Sequence, residues 1–327
     1  MTINAEMLTD VAQFGNFVLN CKRPVFQPNS NLAVNSFLLK EEWSEIDRVV
    51  TEMVKLRLNG VADLLSRGLT YNTTLAAITV RWRVASERVR PAVTLDGRTN
   101  TVMDRVDKKT YEVPVPIIHA GYELGRRELL ASRNLGADID TLEASEAAFS
   151  VAEESERILF DGSSGIVVGG STIYGYTNQP QRDTGTAAAY GGGAFSTVGN
   201  GYKTLLGMIS ALSAKRYHGN FGMYVSASEY EELNQYYTDG SGDTDIMRME
   251  AHPKVEFVKP SDFLTTEAVL VQLTSNVVDM VVAESLRNVE WETPDGMGLF
   301  FKVYHAMAPR LKVDYAGNIG IAHATSI

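Results

Sequence analysis

The chain has one cysteine, Cys21, in 327 residues. An intramolecular disulfide is therefore impossible, and a Cys-x-x-Cys metal or redox motif is excluded. Cys21 reads as a small, partly buried hydrophobe. Long apolar runs are missing too: no window reaches the ~18 apolar residues that a membrane span needs. The opening Met1-Thr2-Ile3-Asn4-Ala5-Glu6 lacks the basic patch and apolar core of a secretory signal. The expectation is a protein made and kept in a reducing cytosol. Histidine is sparse, and His119, His218, His252, His305 and His323 form no H-x-x-x-H or H-E-x-x-H pair, which argues against zinc. Glycine-rich Gly162–Gly170 has no Gly-Lys-Ser/Thr ending, no G-x-G-x-x-G follows a strand, and no G-x-S-x-G elbow exists. Positive charge is the scarcer sign, 30 basic against 40 acidic residues for a net −10, so gripping phosphates with the whole surface is disfavoured. No cofactor, metal site or catalytic constellation is expected.

What is present is an ordinary folded composition, 44% apolar and 21% charged, long enough for one large or two moderate cores. Residues 1 to about 36 have weak periodicity and are broken by Pro24, Pro28, Asn29, Ser30 and Asn31. With Phe17, Leu19, Val25 and Phe26 the stretch is apolar enough to be ordered by a neighbour. Leu39, Trp43, Ile46, Val50, Met53 and Val54 keep helical spacing, with Trp43 as a core anchor.

Residues 78–116 read as a long hairpin: Ile78–Val84 alternates, Asp96-Gly97 is a turn dipeptide, and Lys109–Val115 returns. Its charge is opposite to that of the whole chain. Arg81, Arg83, Arg88, Arg90, Arg98, Arg105, Lys108 and Lys109 face Glu87, Asp96, Asp104 and Asp107, a local excess of +4. A two-stranded ribbon is marginal in water by itself. A basic one on an acidic protein gains most by lying across an identical neighbour, so these eight cations are the candidate intersubunit contacts.

Val113–Ile118 then predicts a strand that Pro114 and Pro116 confine to a sheet edge. Tyr122–Leu129 reads as a turn of helix, and Asp138 to Glu143 as a capping signature. A long helix to about Phe160 follows, with Leu142, Ala148, Phe149, Ala152 and Leu159 on one stripe and Glu143, Glu146, Glu153, Glu154 and Glu156 mostly off it. Gly162–Gly193 is a loop with short strands. Beyond it the pattern predicts a helix at Tyr202–Leu212, a strand at Met223–Val225 and a capped helix from Ser226 through Tyr236. Strands follow at 255–258, 268–273 and 278–282, and Leu299–Tyr304 with Leu311–Ala322 is expected as an antiparallel closing pair. Asp239, Ser241, Asp243, Asp245 and Glu250 match calcium-loop spacing, but Thr244 occupies the position needing Gly, so an acidic surface loop is expected.

The order of these pieces resembles the HK97-like capsid fold of tailed-phage major capsid proteins and encapsulins, its encapsulin branch in particular, over roughly residues 38–323. Glu42–Asp47 is similar to the tryptophan-bearing opening helix of encapsulins, Val113–Pro116 with Tyr122–Leu129 to the entry of their spine helix, and Ala152–Gly162 to its acidic end. The resemblance implies an α+β fold with an N-terminal arm (1–38), an amphipathic helix region (39–70) and an E-loop (71–112). It further implies a peripheral domain (113–162 and 293–327) with a spine helix at 140–160, and an axial domain (163–292) whose loop 237–246 points to a symmetry axis. The implied function is a major capsid protein of a tailed phage, a virion shell around double-stranded DNA assembled in the host cytoplasm. Its partners would be itself, as hexamers and pentamers, a portal, decoration or scaffolding proteins, and DNA by non-specific contact at most, with no membrane. Residues ahead of the Trp43 helix, where compact encapsulins begin, favour this over an encapsulin container with a cargo enzyme. A monomeric enzyme is the reading from a different class.

Overall fold

The computed structural model describes residues 46–50, 59–87, 93, 95, 105–127, 130, 142–236, 242–292 and 297–327. The expectations for the N-terminal arm, Cys21, Trp43, the Asp96-Gly97 turn, the Asp138 cap and the tip of the 237–246 loop lie outside these residues.

The architecture is α+β, with helices packed on two sheets. The first sheet has the order β1-β11-β12-β4, from Thr70–Asn72, Val278–Glu292, Gly298–Leu311 and Ile118–Gly125. The second has the order β7-β13-β10-β8-β9, from Asp183–Thr186, Ile321–Thr325, Glu267–Gln272, Phe221–Ser226 and Val255–Ser261. Two hairpins stand apart, β2–β3 (Thr79–Ala85, Lys108–Pro114) and β5–β6 (Ser163–Val168, Ser171–Ile173). The helices are α1 (Asn59–Ser66), α2 (Leu142–Asp161), α3 (Asn200–Ala214), α4 (Ala227–Glu232) and α5 (Asp245–Glu250).

The long α2 is the axis of the molecule. Small residues, Ala144, Ala147, Ala148, Val151 and Ala152, let it lie close on the first sheet, where Phe301, Val303, Ile118 and Leu124 meet it. Ile46 and Val50 of a helical segment join the same core. Its last turn enters a different core: Phe160 sits edge-on to Tyr176 at 5.6 Å and to Tyr224 at 5.2 Å, among β8, β10 and β11 side chains. Gly162, at φ +71°, ends the helix where a Cβ would stand 2.4 Å from the carbonyl oxygen of Ile173. The third core lies between α3 and the second sheet, from Leu205, Met208 and Leu212 to Phe221 and Leu270. Phe221–Ser226 is buried throughout, as a central strand should be.

Four expectations are corrected. Tyr122–Gly125 is not helical: Ile118–Gly125 is strand β4, paired Leu124 to Leu299 and Tyr122 to Phe301, and among the described residues helix begins at Arg126 and Arg127. Ile118 and Leu124 are buried and Ala120 and Tyr122 half-buried on one face, so tertiary pairing with β12 overrode a weak helical signal. The predicted closing pair does not form: β12 has β11 and β4 on its two edges, while β13 joins the second sheet beside β10 and β7. The helix after Ser226 stops at Glu232, and the Ser226 hydroxyl contacts the Glu229 carboxylate instead of capping a backbone N–H. Finally, Leu142 is 63% exposed, whereas Glu156, placed off the stripe, is 3% exposed.

Glu156 is buried because it serves a second helix. Its carboxylate accepts the Gly60 N–H at 2.6 Å and the Val61 N–H at 3.2 Å, two donors that the first turn of α1 leaves unmade. Gly60 permits this approach, since a Cβ there would lie 2.9 Å from Leu159 and 3.0 Å from Glu156. Beside it Asp63 of α1 accepts Tyr224 Oη at 3.1 Å and Lys259 Nζ at 2.5 Å. One turn of α1 is thus tied to α2, β8 and β9 together.

Candidate subunit-contact surface

The basic ribbon is real geometry over its lower part. β2 and β3 pair antiparallel from Thr79–Pro114 to Ala85–Lys108, and Ser86 and Asp107 continue the ladder with hydrogen bonds of 2.8 and 3.0 Å. Its root is anchored: Val80 and Val113 are buried in the α2 core. Among the described residues of the ribbon, Arg81, Arg83, Ala85, Arg105, Lys108 and Lys109 are exposed, while Trp82, Val84 and Val106 are half-buried.

Of the eight candidate contact cations, five are described. Arg81 Nε donates to Glu112 Oε2 at 2.8 Å directly across the ribbon, and Glu112 Oε1 accepts Ser171 Oγ at 3.1 Å. The Arg81 side chain is 71% exposed, so solvent screening leaves this pair little energy. Lys109 turns back to the body, where Nζ donates to the Tyr315 carbonyl at 3.0 Å and lies 4.2 Å from that ring's centroid. The side chains of Arg83, Arg105 and Lys108 are exposed and have no ion-pair or hydrogen-bond partner among the described residues. Arg88, Arg90 and Arg98 lie outside the described residues. A further exposed pair, Arg216 with Glu87 at 3.3 Å, touches the ribbon from the turn after α3.

A further contact at the ribbon root centres on Arg310, which is not among the candidate residues read from the sequence. Arg310 of β12 stands opposite Asp279 of β11 in register and forks onto its carboxylate at 2.7 and 2.5 Å. Its guanidinium lies 4.2 Å from the Tyr71 ring of β1 and 5.8 Å from the Trp82 ring of β2. Lys312 Nζ adds a contact to Asp279 Oδ2 at 2.6 Å. This buried cation therefore joins the sheet edge to the ribbon root through aromatic faces. The available signal was charge inside apolar strands, Asp279 before Met280-Val281-Val282 and Arg310 after Met307-Ala308-Pro309.

An acidic stripe lies on α2. Glu143, Glu146, Ser150 and Glu153 are exposed at helical spacing, and Glu154 is paired with Arg157. A recess of about 270 Å³ between Glu153, His119 and Phe263 lies along this stripe. Asp245, from the calcium-like spacing, is instead buried, its Oδ2 accepting the Gly199 N–H at 2.6 Å. Among the described residues no group of His, Cys, Asp and Glu could hold a metal, and no helix is long and apolar enough to cross a membrane.

Comparison with known proteins bears on the fold and the family. The chain is 22% identical over 278 residues, 85% of its length and 72% of the relative's, to the diheme-cytochrome-encapsulin shell fusion protein of Kuenenia stuttgartiensis. It is 22% identical over 204 residues to the type 1 encapsulin shell protein EncA of Myxococcus xanthus, spanning 61% of this chain and 65% of EncA. Among solved structures, the virus-like particle of Pyrococcus furiosus superposes with a TM-score of 0.60 at 16% identity, covering 87% of this chain and 99% of that one. The capsid of Myoviridae phage XM1 superposes with a TM-score of 0.62 at 13% identity, covering 82% and 92%. The fold is the HK97-like capsid fold expected from the order of the segments. Residues 31–324 match one family model, and the chain is thus a member of the family of unknown function DUF6260.

Proposed function

We propose that this chain is the repeating subunit of a closed icosahedral shell, and that the shell is the head of a tailed phage around its double-stranded DNA. The observation that carries the reading is the ribbon: firmly rooted, and bearing exposed Arg83, Arg105 and Lys108 side chains without ion-pair or hydrogen-bond partners among the described residues. On a neighbouring copy the exposed Glu143, Glu146 and Glu153 of α2 would offer charges of the opposite sign. Each contact is weak alone, but a closed symmetry repeats it at every subunit, so modest pairwise energies suffice. Under this reading residues 1–38 are an arm, 71–112 an E-loop, 113–162 and 293–327 a peripheral domain, and 163–292 an axial domain. Self-association into pentamers and hexamers, a portal and accessory proteins would follow, with no catalysis by the subunit.

The second reading is an encapsulin compartment holding an enzyme, favoured by the curated sequence relatives, both encapsulin shell proteins. Residues 1–38 ahead of the opening helix support the head. Analysis of the contents of purified particles separates the two: packaged genomic DNA supports the head, and a co-purifying enzyme supports the compartment.

Reversing charge on the ribbon tests the contact. Arg83→Glu with Lys108→Glu should leave the melting temperature nearly unchanged, because exposed substitutions cost about 0.5 kcal/mol or less. Particle yield by negative-stain electron microscopy should fall by about tenfold or more, since one weakened contact is repeated across the whole shell. Arg88→Glu with Arg90→Glu should act the same way. Full particle yield from both pairs would remove the ribbon from the assembly mechanism.

A further inference from the structure

His323 of β13 is 3% exposed, and the groups around it carry opposite charges. Arg182, at the entry to β7, donates from Nε to His323 Nδ1 at 3.1 Å. That contact requires a bare Nδ1, so the imidazole is neutral and carries its proton on Nε2. Nε2 in turn lies 3.2 Å from Glu267 Oε2 on β10. A neutral ring thus stands between a guanidinium and a carboxylate. Asp183, the first residue of β7, is the next charge along, and it is held by Lys215 Nζ at 2.6 Å and by Tyr190 Oη at 3.0 Å.

What Arg182 secures has few other attachments. Its Nη1 donates to the Gln179 carbonyl at 2.9 Å, and its backbone N–H donates to the same oxygen at 3.2 Å. β7 follows as Asp183-Thr184-Gly185-Thr186, the edge strand of its sheet, with no apolar side chain. It runs parallel to β13, with Thr184 opposite His323. Ladder hydrogen bonds and polar contacts dock this edge, and water competes for both, so it belongs to the low-stability end of the fold.

We propose that His323 is a proton-operated fastener for this edge. Neutral, it holds Arg182 and the turn Gln179–Arg182 against the second sheet. Protonated, it expels Arg182, keeps Glu267 as its counter-ion, and loosens the turn and the start of β7. The expulsion follows from the contact itself. A protonated Nδ1 would meet the Arg182 Nε–H donor to donor, two like charges 3.1 Å apart with almost no water to screen them. Arg182 is half-buried and free to swing outward, whereas His323 is fixed in the ladder between β7 and β10. Burial keeps the imidazole below the ordinary 6.5, and Arg182 adds to this against the pull of Glu267, so the release lies on the acid side of that value. Local opening relieves this titration without unfolding the subunit. The device belongs to one subunit and does not depend on the shell reading.

Hydrogen–deuterium exchange on the full chain tests it, with peptides covering residues 179–186 compared at about pH 7.5 and about pH 5 after correction for intrinsic rates. In the parent these amides should exchange at least about tenfold faster at the lower pH. β8, an interior strand of the same sheet, should keep its protection at both. Equal rates at the two pH values would overturn the proposal. So would a loss of protection at β8 in step, which marks global unfolding. His323→Gln supplies an oxygen for Arg182 and an amide for Glu267 but does not titrate, so acid opening should disappear; opening that persists would contradict the fastener. Glu267→Gln removes the counter-ion of the imidazolium and should move the transition to lower pH. A transition left in place or moved upward would also contradict it.

Discussion

Arg310→Leu should be among the most damaging single substitutions in the chain, lowering stability by about 3–5 kcal/mol, the usual cost of stranding one partner of a buried ion pair. Arg310 and Asp279 have side chains only 7% and 6% exposed, so water cannot take the place of the lost fork. Lys312 remains on Asp279, which keeps the expected loss finite. At about 2–4 °C per kcal/mol for a large domain, the melting temperature should drop by roughly 10 °C. The second effect is architectural. Arg310 also holds the Tyr71 and Trp82 faces together, so its loss should free the ribbon root, and the variant should assemble poorly even below its melting temperature. Arg310→Lys tests the geometry: it keeps the charge but cannot fork or stack as a planar group, and should recover only part of the loss. A melting temperature unchanged in Arg310→Leu would show that the joint is dispensable.

Two buried groups, Glu156 of α2 and His305 of β12, should give the molecule opposing pH dependences. Burial raises Glu156 from the ordinary 4.5 to about 7, against the two α1 N–H donors and Lys259, and with Asp63 adding to the rise. A group whose folded pKa is raised stabilises fully below its unfolded pKa, and that stability is lost as pH climbs through the folded value. Glu156 therefore makes the subunit less stable from about pH 4.5 to 7, by about 3 kcal/mol at 1.36 kcal/mol per pH unit. Next to it, Ser155 Oγ contacts His305 Nε2 at 2.5 Å, and burial lowers that imidazole from 6.5 to about 4. A depressed folded pKa works in the other direction, with stability present above 6.5 and lost as pH falls toward 4, by a similar amount. In the parent chain the two slopes largely cancel across the weakly acidic range. Glu156→Gln should expose the histidine slope, making stability rise with pH between about pH 4.5 and 7. His305→Phe should expose the glutamate slope, making it fall over the same range. Urea midpoints followed by circular dichroism read both, and parallel pH profiles for the two variants would contradict the assignment.

Period and punctuation made much of this legible before any coordinates. The ribbon root, α2, α3 and the central β8 strand follow from alternation or helical spacing, and the long helix ends beside the glycine that its pattern named. The errors share a physical cause, namely partners distant in sequence. β4 carries a helix-compatible string, Tyr122-Glu123-Leu124-Gly125, that becomes a strand because β12 presents a ladder to it. Leu311–Ala322 could not be assigned to its sheet, because the choice rests on β12 having both edges occupied. Glu156 looked like one more solvated acid on a helix with many, and only the first turn of α1, 96 residues away, explains its burial. The candidate site divides in the same way. The excess of cations could be counted along the chain, but the turning of Lys109 onto Tyr315 and the Arg310 joint are tertiary facts.

The central claim is that the ribbon and the face of α2 serve another copy of this chain. Size-exclusion chromatography with light scattering on the purified full chain, followed by electron microscopy of the leading peak, tests it most directly. The account predicts closed particles of many subunits, their number falling when the ribbon charges are reversed. A species that stays at 35.9 kDa at high concentration would contradict it.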